Sequence, residues 1–106
     1  MPSSVPAVSV SELAAIVAAD PGTFLLDVRE PAEYAAGHAP SAALVPMSVL
    51  PVRLQDIPKD RTVYVICHSG ARSFQVAAWL NQQGFDAVNV DGGTAAWAMA
   101  GHPIEL

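Results

Sequence analysis

The 106-residue sequence predicts a single α/β domain spanning residues 1–106, a mainly parallel sheet covered by helices on both faces. Two patterns carry that prediction. Short apolar runs bounded by turn residues, at residues 24–28, 62–66 and 87–90, alternate along the chain with segments of helical periodicity. Hydrophobic residues make up 52% and charged residues only 14%, a composition that fills one core in a chain too short for a second.

Ser9-Val10-Ser11-Glu12 has the form of a capping box, followed by Leu13, Ile16 and Val17 at helical spacing and closed by Asp20-Pro21-Gly22. A helix is expected at residues 10–19. Phe24-Leu25-Leu26-Asp27-Val28 lacks helical periodicity and suits a strand buried on both faces. Pro31 fits a first helical position and Gly37 the position after the last turn, bracketing one short helix. Residues 42–45 read as a weaker strand ended by Pro46, and residues 47–54 as a short helix despite Pro51. Thr62 to Ile66, β-branched and aromatic, is the clearest strand. Residues 73–83 form the clearest long helix, with Val76, Ala77 and Leu80 on one side and Gly84 as its stop. Residues 87–90 make a further strand, Asp91-Gly92-Gly93 a turn, and residues 94–100 a last helix around Trp97. Right-handed crossovers place the binding crevice at the carboxyl ends of the strands, where both Cys67 and Asp27-Val28-Arg29 fall.

Several classes of partner are disfavoured. No apolar run approaches the ~20 residues of a membrane span. Met1-Pro2-Ser3-Ser4-Val5-Pro6 has neither a basic start nor a continuous apolar stretch, so a cytoplasmic address and no membrane partner are expected. A net charge of −5 argues against nucleic acid. The lone cysteine excludes an intramolecular disulfide and an internal resolving thiol, so chemistry begun at Cys67 has to finish on another molecule.

Cys67 ends the run Val63-Tyr64-Val65-Ile66 and opens the loop His68-Ser69-Gly70-Ala71-Arg72-Ser73. A free thiol with a pKa of ~8.5 is mostly protonated at neutral pH, whereas the thiolate is the nucleophile. A helix start supplies orphan N–H donors and partial positive charge, and Arg72 adds a full charge. Gly70 lets the loop curl so that successive amides face inward, while Ser69 and Ser73 offer hydroxyl donors. The plain alternative is a small buried hydrophobe at a strand end. An arginine in the first turn of a helix is electrostatically unfavourable, so Arg72 points to an anion or an ion pair.

Three segments in order resemble the rhodanese-like sulfurtransferase superfamily, and in particular single-domain rhodaneses. The first is Leu26-Asp27-Val28-Arg29-Glu30-Pro31-Ala32-Glu33-Tyr34-Ala35-Ala36-Gly37-His38. Cys67-His68-Ser69-Gly70-Ala71-Arg72-Ser73 matches the active-site loop, and Asp91-Gly92-Gly93 through Trp97 to Gly101-His102-Pro103 the C-terminal signature. The resemblance implies a parallel sheet of about five strands. It also implies transfer of a sulfane sulfur from a donor such as thiosulfate, through a persulfide on Cys67, to cyanide or a thiol. The amides from His68 to Arg72, including those of Ser69, Gly70 and Ala71, would cradle that persulfide, with no metal and no organic cofactor. Arg29 is assigned either to a donor sulfonate or to an ion pair with Glu30, Glu33 or another carboxylate. Asp27 is expected to order its loop, and Glu33 to face Arg72. His38 and His102 are expected in turn hydrogen bonds, and His68 either tunes donor binding or faces solvent. After His38 the chain departs from the common pattern: Ser41 stands where the family has glycine, so a slightly different turn is expected.

Two other functions compete. Related phosphatases and arsenate reductases hold one residue more between cysteine and arginine than the four found here, a wider cradle suited to a tetrahedral oxyanion. The other is a regulatory or sulfur-carrier module whose acceptor is another protein.

Overall fold

Each apolar run becomes a strand of one sheet. The computed structural model describes residues 5–106, so the expectation for the N-terminal stretch falls partly outside the described residues. Five strands, β1 (Ala7–Val8), β2 (Phe24–Asp27), β3 (Ala43–Leu44), β4 (Thr62–Ile66) and β5 (Asp86–Val90), pair in the order β1-β5-β4-β2-β3. All pairings are parallel. Four helices cross between them: α1 (Val10–Ala19), α2 (Pro31–Ala36), α3 (Ala71–Gln82) and α4 (Gly93–Met99).

The capping box forms as expected: Ser9 Oγ accepts from Glu12 N at 3.1 Å, and Glu12 Oε1 accepts from Ser9 N at 2.8 Å. Pro31 opens α2 and Gly37 closes it with φ +149°. Between β3 and β4 the expected short helix is replaced by two 3₁₀ turns, Leu50–Val52 and Leu54–Asp56. Pro51 has no N–H to carry an α-helical ladder, and the segment settles for shorter-range bonds. The strand β1 carries no local sequence signal. Two residues beside Pro6 show no periodicity, and what places them is Asp91 N donating to Val8 O and Asn89 N to Pro6 O.

Alternation along the strands sorts the apolar side chains into two cores. Val63, Val65 and Cys67 point to one face with Leu26 and Ala87, packed under Val76, Ala77 and Leu80 of α3. Leu25, Ile66 and Val90 point to the other, against Leu13 of α1 and Trp97 of α4. Leu25 and Leu26 are both buried, as a strand covered on two faces requires. Cys67 therefore lies under α3 because it continues the odd-numbered face of the central strand. Among the described residues no helix is long and apolar enough to cross a membrane.

Candidate active site

The sulfur of Cys67 sits at the carboxyl end of β4, and α3 begins two residues earlier than its periodicity indicated. Gly70 makes this abrupt start: its φ of +103° turns the chain directly into Ala71. The result is a tight loop whose donors converge on one atom. Sγ accepts from Gly70 N at 3.1 Å, Ser73 N at 3.4 Å and Ser73 Oγ at 3.3 Å. Cys67 is 1% exposed and Ser73 is wholly buried. Burial, the largest influence, pushes the thiol pKa up. The Ser73 hydroxyl and the amides of Ser73, Gly70 and Ser69 outweigh it, so the thiol lies below its ordinary value.

Arg72 and Glu33 bridge α3 and α2 in a bidentate pair, Nη1 to Oε1 and Nη2 to Oε2 at 2.8 Å each. Glu33 also accepts from Glu30 N at 3.0 Å. The Arg72 guanidinium, and after it the Glu30 amide, hold the Glu33 carboxyl at about 2. Glu33 in turn raises Arg72 further above its ordinary range, and the nearby sulfur acts in the same direction. The expected facing of Glu33 and Arg72 is thus a two-point contact beside the nucleophile.

Arg29 is engaged by Asp27. Nε donates to both carboxylate oxygens at 3.0 and 3.1 Å, and Nη2 donates to Oδ2 and to Gly37 O at 2.9 Å each. Asp27 Oδ1 also accepts from Arg29 N at 3.0 Å, ordering the turn after β2. Asp27 is fully buried and Arg29 is 4% exposed. The same arginine lines an open cleft of about 470 Å³ together with Glu33, His68, Thr94, Ala98 and Ile104. A cleft of similar size lies at the amino ends of the strands, around Thr23, Arg61 and Tyr64, far along the strands from the nucleophile. His68 and Ser69 are exposed at the mouth of the loop, while Gly70 is buried and Ala71 exposed.

His38 makes a turn contact through its ring, whereas the buried Nε2 of His102 has no hydrogen-bond partner among the described residues. His38 Nδ1 lies 2.9 Å from Tyr34 O, its ring stacks on Tyr34, and its main chain pairs both ways with Glu105. His102 packs against Trp97, whose Nε1 donates to Pro103 O at 2.6 Å. Ser41 takes a left-handed conformation, φ +68°, at a steric cost that a glycine would not carry.

Residues at the start of α4 hold the carbonyls of the loop, a contact that the motifs alone do not reveal. Thr94 N and Thr94 Oγ1 both donate to Cys67 O, at 2.8 and 3.0 Å, and Ala95 N donates to His68 O at 3.0 Å. A Cβ on Gly93 would lie 2.5 Å from both carbonyl oxygens. Asn89, from the end of β5, donates to Gly70 O at 3.3 Å and to Asp91 Oδ1 at 2.9 Å.

The family model described as a rhodanese-like domain matches residues 9–100. A sulfurtransferase of Allochromatium vinosum is 52% identical over 81 residues, 76% of each chain. The crystal structure of a rhodanese-like domain protein from Staphylococcus aureus superposes with a TM-score of 0.88 at 34% identity, covering 96% of this chain and 98% of that one. A thiosulfate sulfurtransferase from Pseudomonas aeruginosa gives a TM-score of 0.81 at 31% identity, covering 99% of this chain and 20% of that one. The cysteine loop, the parallel sheet that carries it and these likenesses agree: the chain belongs to the rhodanese-like domain family.

Proposed function

We propose that the protein is a sulfurtransferase that carries a sulfane sulfur on Cys67. The observation that carries this reading is the convergence of Gly70 N, Ser73 N and Ser73 Oγ on the buried sulfur. Donors placed around one sulfur stabilise a thiolate and, after reaction, the outer sulfur of a persulfide.

In the first step the Cys67 thiolate attacks the outer sulfur of thiosulfate. The S–S bond of the donor breaks, sulfite leaves with the electron pair, and Cys67 holds a persulfide anion. In the second step a nucleophilic acceptor attacks the outer sulfur, and the electron pair of the persulfide bond returns to Cys67 as thiolate. With cyanide the product is thiocyanate; with a thiol it is a new persulfide. The cleft wall of Ala36, Ala98 and Ile104 is apolar and favours an acceptor with a carbon skeleton over a bare ion. Arg29 and His68 line the same cleft, where an arginine favours an anionic donor.

Phosphatase chemistry fits less well. Four residues separate Cys67 from Arg72, and both Nη atoms of Arg72 already donate to Glu33, leaving less of the guanidinium free to grip an oxyanion. Thiocyanate production from thiosulfate and cyanide tests the assignment. Wild type is expected to form it and Cys67→Ser to form none; hydrolysis of a phosphate ester without sulfur transfer would reverse the choice.

A further inference from the structure

We propose that the first turn of α4, through Thr94, is a positioning element that holds the Cys67 loop with its amides turned toward the sulfur. A trans peptide is planar, so its C=O and N–H point in opposite directions. Thr94 N and Oγ1 fix Cys67 O from the α4 side, at 2.8 and 3.0 Å, which turns the N–H of His68 the other way. Ala95 N fixes His68 O at 3.0 Å and turns the Ser69 N–H likewise, and Ser69 is among the amides that favour the thiolate. The same bonds occupy two carbonyl oxygens whose negative charge would oppose a sulfur anion.

The fit is close. Gly93, φ +61°, leads into Thr94 with no room for a side chain: an added Cβ would meet Cys67 O and His68 O at 2.5 Å and His68 C at 2.6 Å. Thr94 is 7% exposed, and its hydroxyl donates to Cys67 O, a backbone group of the nucleophile itself. Thr94 acts through the loop and not by touching the sulfur.

This proposal rests on the sulfurtransferase reading for its purpose, but its test does not. The rate of Cys67 alkylation by iodoacetamide is followed against pH for wild type, Thr94→Val and Thr94→Ser, with folding checked by thermal melts. Thr94→Val is expected to raise the apparent thiol pKa by about half a unit, roughly a threefold loss of thiolate on the acid side. Thr94→Ser, which keeps the hydroxyl, is expected to restore the wild-type profile. A wild-type profile in folded Thr94→Val overturns the clamp. If that variant does not fold, Thr94→Ala, which brings no methyl against the carbonyl, carries the same expectation and the same refutation. Sulfur loading of wild type by thiosulfate is measured alongside: its absence contradicts the reaction, while the alkylation profiles alone decide the clamp.

Discussion

Ser73 donates to the Cys67 sulfur twice, from its backbone N–H at 3.4 Å and from its hydroxyl at 3.3 Å. One residue on the first turn of α3 thereby contributes two of the four donors that hold the thiol below its ordinary value against burial. Removing the hydroxyl leaves the helix start intact and isolates its share. Ser73→Ala is expected to raise the Cys67 pKa by about one unit, since a hydrogen bond to a charged group contributes ~1.5 kcal/mol. The pH dependence of iodoacetamide alkylation measures this shift; an unmoved profile would assign the stabilisation to the amides alone.

The Arg72–Glu33 pair sets a pH signature on stability. Glu33 titrates at about 2 in the folded protein, below the 4.5 of a free carboxyl, so its contribution is complete above the free value and is lost as pH falls toward 2. Both side chains are more than a third exposed, and solvent screening limits the pair to ~0.5–1 kcal/mol. Denaturant unfolding of wild type and Glu33→Gln is expected to differ by that amount at neutral pH and to converge in acid. A gap that widens on acidification would contradict the assignment.

Asp27 and Arg29 differ in kind, because both are buried and each is the other's charged partner. Asp27→Asn strands a buried guanidinium and is expected to cost ~3–5 kcal/mol, read as a large drop in the unfolding midpoint. Arg29→Ala likewise lowers stability, and a rise in the apparent KM for thiosulfate in protein that remains folded would show that the arginine also serves the donor.

Ser41 pays a conformational cost at φ +68° that a glycine would not. Relief of ~1–2 kcal/mol of left-handed strain is partly offset by the added freedom of glycine in the unfolded chain. Ser41→Gly is therefore expected to stabilise by ~0.5–1 kcal/mol with no effect on alkylation of Cys67; loss of stability would show that the serine side chain has a compensating role.

What the chain discloses in advance follows the range of the interactions involved. Cys67 was legible because an apolar strand stops at it and a glycine-containing loop follows, both local facts, and the parity of β4 then buries it under α3. Ser73 as a hydroxyl donor and the facing of Glu33 and Arg72 were also within reach of the motifs. Arg29 was not resolved in the same way. Its partner stands two residues away, but the Gly37 carbonyl that holds the same guanidinium lies eight residues on, at the far end of α2. Thr94 lies 27 residues from Cys67, and only the docking of α4 on the loop brings its hydroxyl to that carbonyl. The 3₁₀ turns around Pro51 and the two-residue β1 escaped for a related reason, since neither carries a periodicity.

On the sulfurtransferase reading, Cys67 takes and holds one sulfur atom. Intact-protein mass spectrometry after incubation with thiosulfate tests it most directly. Wild type is expected to gain the mass of one sulfur, to lose it on addition of cyanide with release of thiocyanate, and to show no gain as Cys67→Ser. An unchanged wild-type mass, together with alkylation of Cys67 no faster than that of a model thiol, would contradict the account.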